Sequence, residues 1–222
     1  MNARLVYDLP TRIFHWFFAG LFVGAFIIGK TVDEDSATYP LHMMLGLTLG
    51  FLVLLRILWG VFGSRHAQFK NWALNPMDLI AYFKGILSGE KKRWAGHNPA
   101  SSWAALTMMA LGLGLAITGY LMTSAGDALK LKEVHELFAN AFIILVLMHI
   151  AGIALHTIRF QEMIGLSMLN GKKEQVEPKD EIKSSSSAFG LLLIALVVAF
   201  GLNLFKNYDA SARTLNFFGT QL

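Results

Sequence analysis

The stretch HELFANAFIILVLMHIAG, residues 135–152, decides the class of this protein. It is apolar enough to cross a membrane, yet it carries two histidines, His135 and His149. At 3.6 residues per helical turn their spacing places both imidazoles on nearly the same face, separated in depth by about 21 Å. An ionisable side chain inside a membrane is costly, so this pattern indicates a functional site.

The composition of the whole chain also indicates a membrane protein. Of its 222 residues, 55% are hydrophobic and only 15% are charged, whereas a soluble domain carries about 25% charged residues. The chain has no cysteine, which excludes disulfides and thiolate-ligated metal centres. Its net charge of +4 is explained by basic residues at the cytoplasmic side of a membrane, so nucleic-acid binding is not expected.

Five segments approach the length of about 20 apolar residues that a bilayer requires. They are residues 12–30, 40–62, 100–123, 133–158 and 187–205. Lys and Arg are concentrated in the N-terminal segment and in the loops 63–98 and 159–187. The positive-inside rule therefore predicts a cytoplasmic N-terminus and a periplasmic C-terminus.

Two stretches outside these segments have distinctive compositions. Residues 76–87 are amphipathic and predict a short helix on the inner membrane surface. Residues 174–186 are charged and Ser-rich, as is typical of a linker. We therefore expect a membrane domain over residues 1–173, a cytoplasmic linker over 174–186, and a fifth transmembrane helix with a short outer tail over 187–222.

Two further histidines match the first two in depth. His42 begins the second segment at the outer side, like His135, and His15 lies about 22 Å deeper in the first segment, like His149. Depth therefore pairs His42 with His135 and His15 with His149. A neutral imidazole is a usual protein ligand of haem iron, and two imidazoles fill its axial positions. The four histidines predict an outer and an inner bis-histidine haem.

Residues near His42 each allow two interpretations. Gly46 and Gly50 stand in a G-x-x-x-G spacing, which lets a flat cofactor or a neighbouring helix approach closely. Arg56 follows His42 on the same face, about 21 Å deeper. Its guanidinium either pairs with a propionate of the inner haem or snorkels to the inner interface.

The remaining histidines are weaker candidates. His156 lies on the ligand face but about 10 Å further in than His149, so it is a rival inner ligand with a poorer depth match. His66 and His97 fall in the basic 63–98 loop, and we expect them at the surface.

Five motifs along the chain are, in order, VYDLPTRIFHW (6–16), LHMMLG (41–46), LRILWGVFGSRHAQF (55–69), GHNPASSW (96–103) and HELFANAFIILVLMHIAG (135–152). Together they resemble the bacterial cytochrome b561 family, whose superfamily includes the cytochrome b subunits of nickel–iron hydrogenases. The resemblance covers about residues 5–173, although Tyr7 stands where tryptophan is common. It implies a diheme, four-helix cytochrome that exchanges electrons with the quinone pool. The ligands it implies are His15, His42, His135 and His149.

The expected protein is all-α: an integral membrane four-helix bundle that holds two haem b groups, plus a fifth transmembrane helix. We expect it in the bacterial cytoplasmic membrane, transferring electrons between quinone or quinol and a redox protein such as a periplasmic cytochrome c or a dehydrogenase subunit. Membrane lipid is a further partner, and a homo-oligomer is left open. Some aromatic residues would line a quinone pocket or form an interfacial belt. They are Trp16, Phe17, Trp59 and Trp103.

Two other functions stay open at this point, and the sequence does not decide whether the protein is an enzyme. One is a haem-bearing membrane anchor and electron conduit of a hydrogenase- or dehydrogenase-type complex. The other is a haem-free metal-ion transporter, which would place carboxylates beside the histidines in mid-membrane. The nearest carboxylates are expected only at the outer rim. They are Asp127, Glu133 and Glu136.

Overall fold

A computed structural model describes residues 3–124 and 128–222 of the chain. Asp127, which the sequence predicts at the outer rim, lies outside these residues. The helices in the described part are α1 (Leu9–Thr31), α2 (Pro40–Phe62), α3 (Pro76–Leu87), α4 (Pro99–Ser124), α5 (Ala128–Phe160), α6 (Ser167–Asn170) and α7 (Ser187–Lys206). The short strands are β1 (Arg4–Leu5), β2 (Lys172–Lys173), β3 (Tyr208–Asp209), β4 (Thr214–Phe217) and β5 (Thr220–Gln221).

Five of these helices, α1, α2, α4, α5 and α7, are long and apolar enough to cross a membrane. Their bounds agree with the predicted segments to within a few residues at each end. The prediction of an all-α, multi-pass membrane protein with a fifth long helix is therefore confirmed. Helix α3 coincides with the predicted amphipathic helix at 76–87.

Side chains cap the starts of three helices where the backbone N–H groups lack partners. Asp8 precedes α1, and its Oδ1 accepts from the backbone N–H of Thr11 at 2.8 Å. Asn75 precedes α3 and accepts from the N–H of Met77. Asn98 precedes α4 and accepts from the N–H of Ser101 at 2.8 Å.

The described chain divides into two compact units, and every long helix contributes to both. The first unit comprises residues 3–13, Arg56–Met108 and Ile143–Gly190. The second comprises Phe14–Leu55, residues 109–124 and 128–142, and Leu191–Leu222.

Aromatic rings and small residues pack the helices of the second unit. The rings of Phe22 on α1 and Phe142 on α5 stack with centroids 3.7 Å apart. A Cβ added at Gly50 on α2 would lie 2.5 Å from the Cβ of Ala116 on α4. Gly50 therefore serves helix packing, one of the two roles that its spacing predicts.

The fifth long helix and the tail are built into the second unit. Phe200 on α7 stacks on Phe51 of α2 with centroids 4.3 Å apart. Strands β3, β4 and β5 form an antiparallel meander after α7. Its Leu215 is fully buried against Met44 of α2 and Leu204 of α7. The sequence predicts only a short tail here, and the meander is an addition to that prediction.

In the first unit, the predicted linker is held by backbone hydrogen bonds at several points. Strand β2, which immediately precedes this linker, pairs with β1 in antiparallel register. The N–H of Ile182 donates to the carbonyl oxygen of Leu5, and the N–H of Leu9 donates to that of Ser185. Segment 174–186 is thus fixed to the N-terminal segment of the chain.

Candidate haem site

His42 of α2 and His135 of α5 lie next to each other in the second unit. Their ring centroids are 5.9 Å apart, with an angle of 65° between the ring planes. Because an imidazole nitrogen binds a metal ion at about 2 Å, one iron held between two imidazoles places their centroids about 6 Å apart. The observed separation fits this requirement.

The two imidazoles are oriented by hydrogen bonds to Nδ1. His42 Nδ1 lies 2.7 Å from the carbonyl oxygen of Ala25; since a carbonyl only accepts, Nδ1 carries the proton. His135 Nδ1 lies 2.9 Å from Thr118 Oγ1. The Thr118 hydroxyl donates to the carbonyl of Gly114, so its oxygen accepts from His135. Both rings therefore keep a lone pair on Nε2 for a metal, and a hydrogen bond from the other ring nitrogen to a protein oxygen is typical of metal-bound histidine.

Glycines border both rings. A Cβ at Gly29 would lie 2.8 Å from His42 Cε1, so no other residue fits beside this imidazole without moving it. A Cβ at Gly119 would lie 3.5 Å from His135 Cε1, while one at Gly46 would meet no atom within 4 Å. This donor set and its small neighbours fit a flat cofactor held by two axial imidazoles.

The other predicted pair is divided between the units. His15 belongs to the second unit, where its ring packs edge-on against Trp16 with centroids 5.1 Å apart. His149 belongs to the first unit, where it interacts electrostatically with His97. The pairing of His15 with His149 therefore stays a prediction based on helical rise. The rival ligand His156, also in the first unit, has a buried Nε2 without a hydrogen-bond partner among the described residues.

Arg56 does not snorkel, and that interpretation of the sequence is wrong. The residue is only 3% exposed, and its Nη2 donates to the carbonyl oxygen of Ala67 at 3.0 Å. Its guanidinium carbon lies 5.2 Å from the ring centre of Phe69 and 5.4 Å from that of Trp72. The loop that follows α2 folds over the side chain and keeps it buried. A role in binding a propionate stays a prediction.

The expectation that His66 and His97 lie at the surface is also wrong. His66 is buried, and its Nε2 hydrogen-bonds the carbonyl oxygen of Asp180 at 2.7 Å. The His97 ring packs against Tyr7 and Trp72, with centroids 5.6 and 4.8 Å away. Burial lowers the pKa of His97 to about 3, so this imidazole is neutral at physiological pH. The aromatic residues of the 63–98 loop were the available signal that this loop packs inward.

Sequence analysis missed two buried charged residues of the first unit. Asp8 is fully buried and accepts from the indole N–H of Trp59 at 3.0 Å, as well as capping α1. Lys173 donates to the carbonyl oxygens of Trp94 at 2.6 Å and Ala95 at 3.0 Å, and burial lowers the pKa of Lys173 to about 8. Both side chains bind other parts of the chain itself.

No group of three His, Cys, Asp or Glu side chains that could hold a metal ion occurs within residues 3–124 and 128–222. Haem needs only two protein donors, because the macrocycle supplies the other ligands. A set of long apolar helices with an oriented histidine pair of this kind is typical of membrane-embedded cytochromes. The chain belongs to the prokaryotic cytochrome b561 family, whose model matches residues 6–171. This confirms the family that the five motifs indicate.

Curated relatives share this assignment at low identity. A probable Ni/Fe-hydrogenase B-type cytochrome subunit of Rhodobacter capsulatus is 24% identical over 212 residues, covering 76% of this chain and 80% of the relative. Proteins with the same description from Bradyrhizobium diazoefficiens and Rhizobium leguminosarum bv. viciae are 25% and 23% identical, covering 76% of this chain and 85% and 87% of the relatives. No solved structure matches the chain. The protein is a multi-pass membrane haem protein of electron transfer.

Proposed function

We propose that this protein is a diheme b-type cytochrome that carries electrons between the quinone pool and a redox protein. The observation that supports it best is the His42–His135 pair, in which both Nδ1 atoms are engaged and both Nε2 atoms are left for a metal. Under this proposal His42 and His135 hold the outer haem b, and His15 and His149 hold the inner one.

The protein residues control how each haem is held, while the haem supplies one-electron redox chemistry when bound. The Ala25 carbonyl and the Thr118 hydroxyl fix the tautomers of His42 and His135 and make the imidazoles more basic ligands. A haem held by His42 and His135 would have no position left for oxygen, so the pair would favour electron transfer over oxygen binding. Arg56 would serve as a propionate partner of the inner haem.

The proposed location is the bacterial cytoplasmic membrane, with the N-terminus in the cytoplasm and the C-terminus in the periplasm. The excess of Lys and Arg in the N-terminal segment and in the 63–98 and 159–187 loops supports this orientation. Quinone or quinol at one membrane face is the proposed two-electron partner. A cytochrome c or dehydrogenase subunit is the proposed one-electron partner.

A second candidate function is the membrane anchor and electron conduit of a hydrogenase-type complex. The relatives described as Ni/Fe-hydrogenase B-type cytochrome subunits favour it. The two candidate functions differ in whether the protein is bound to a catalytic subunit. A conduit co-purifies with a catalytic subunit in mild detergent and is not reduced by quinol alone, whereas a stand-alone quinone-linked oxidoreductase is purified by itself and is reduced by quinol.

The deciding experiment is the haem-to-protein ratio of the purified protein, with dithionite-reduced minus oxidised spectra, followed by addition of quinol. We expect two b-type haems per chain. Reduction by quinol supports coupling to the quinone pool, and reduction only in the presence of a co-purified subunit supports the conduit. A chain that holds no haem after haem-replete expression would refute both candidates.

A further inference from the structure

A groove of about 500 Å³ lies in the first unit, outside the candidate haem site. It is bordered by the end of α2, by residues of segment 179–186 and by the first turn of α7. Most of this lining follows residue 171, where the match to the family model ends. The groove is therefore a feature that this chain's own C-terminal part creates.

One wall of the groove is aromatic and open. Phe62 at the end of α2 is 77% exposed, and Phe189 in the first turn of α7 is 56% exposed. The Trp59 ring lies 5.2 Å from that of Phe189 and continues the wall. Because both helices are long and apolar enough to cross a membrane, rings exposed at their ends are suited to contact lipid.

Basic residues also line the groove. Arg65 is held by the carbonyl oxygen of Lys179 at 2.5 Å and by Asp180 at 2.9 Å, and about half of its side chain stays exposed. Lys179 pairs with Glu177 but is largely exposed. Lys183 is exposed, with no carboxylate within ion-pair distance in the described part of the chain.

Acidic groups cancel only part of this charge, because Arg65 and Lys179 have carboxylate partners and Lys183 has none in the described part of the chain. Glu181 also lines the groove, but its carboxylate is engaged by Arg4 at 2.8 Å. Hydroxyl groups complete the polar side. Ser184 and Ser186 line it, and so does Ser64, whose Oγ is buried without a hydrogen-bond partner among residues 3–124 and 128–222.

We propose that this groove binds one anionic phospholipid. Its acyl chains lie against Phe62 and Phe189, and its phosphate lies at Lys179 and Lys183. Basic pockets beside transmembrane helix ends suit such headgroups, whereas the added cation of a zwitterionic headgroup would be repelled by the lysines. The proposal does not depend on the number of haems.

The test is native mass spectrometry of the delipidated, haem-loaded protein titrated with phosphatidylglycerol or with phosphatidylcholine of the same acyl chains. We expect one tight site for phosphatidylglycerol, weakened about fivefold by each lysine removed in Lys179→Gln/Lys183→Gln. The matched control Lys130→Gln/Lys206→Gln removes the same charge from exposed lysines of the second unit. It should bind like the wild type.

Haem spectra establish that each variant is folded, and they separate a failure of this proposal from a failure of the haem assignment. Equal affinity for the two lipids would overturn the proposal, and so would equal losses in the two double variants. Displacement of the lipid by inorganic phosphate would mark a simple anion site, and displacement by a quinone analogue would mark a quinone pocket. Either result would also overturn it.

Discussion

The two units of this protein bury polar side chains for different purposes. In the second unit, His42 and His135 each engage Nδ1 with the protein and keep Nε2 for a ligand. In the first unit, Asp8, His66 and Lys173 give their polar atoms to backbone or side-chain partners of the same chain. Burial of a polar group is therefore not by itself the mark of a cofactor site. Whether an atom remains for an external partner is what distinguishes His42 and His135 from these three side chains.

The largest expected effect is the loss of a haem when a histidine of the candidate haem site in the second unit is removed. His135→Ala removes one proposed haem ligand, so we expect the haem-to-protein ratio to fall from two to one while the other haem is kept. His66→Ala is the control, because it removes a more deeply buried histidine that binds the Asp180 carbonyl. If His66→Ala also lost a haem, or His135→Ala lost none, the contrast between the units would be refuted.

The next effect tests the claim that the first unit uses its charges for stability. Asp8→Ala leaves the indole N–H of Trp59 and a backbone N–H of α1 without their acceptor. The expected loss is about 3 kcal/mol in the free energy of unfolding, measured by denaturant titration in micelles. Asn75→Ala, which removes only a helix cap, should cost about 1 kcal/mol. Equal losses would mean that the Trp59 hydrogen bond contributes nothing.

A smaller effect is expected when the hydrogen bond that orients His135 in the second unit is removed. Thr118→Val keeps the shape of the side chain but removes the oxygen that accepts from His135 Nδ1. Both haems should remain, and haem affinity at this site should fall about 10- to 100-fold, seen as faster haem transfer to apomyoglobin. Thr48→Val is the matched control, because that hydroxyl is also buried but bonds only its own helix, at Met44. Similar transfer rates for both variants would argue against the orienting role of Thr118.

The smallest effect concerns pH and the first unit. Burial lowers the pKa of His97 from its ordinary value of 6.5 to about 3, so the unfolded chain takes up a proton that the folded chain does not. This stability is present above pH 6.5 and is lost as the pH falls, by about 2 kcal/mol between pH 7 and pH 5. His97→Phe keeps a ring between Tyr7 and Trp72 and should flatten this dependence in unfolding titrations. An unchanged slope would contradict the burial of a neutral His97.

The long helices and the proximity of His42 and His135 were predictable, because both follow from periodic properties of the chain. Apolar length defined the five spans, and the helical rise placed His42 and His135 at the same depth. The orientation of the two rings was not predictable. It depends on Ala25 and Thr118, which carry no local signal because they lie on other helices.

The 63–98 loop was predicted least well, since a count of its charges says nothing about which side chains it covers. Its basic composition placed His66 and His97 at the surface, whereas the structure buries His66 and packs the His97 ring against Tyr7 and Trp72. The same folding of the loop encloses Arg56, which the sequence left between two interpretations.

Composition, helical periodicity and the order of the motifs were enough to predict a membrane-spanning helical cytochrome of the b561 family, because these properties are read directly along the chain. Contacts between distant segments had to come from the tertiary structure. They include the Nδ1 hydrogen bonds of His42 and His135, the packing of Leu215 on α2, and the basic groove beside Phe62. Such contacts depend on which side chains meet across the fold, and the spacing of residues along the chain does not determine which ones meet.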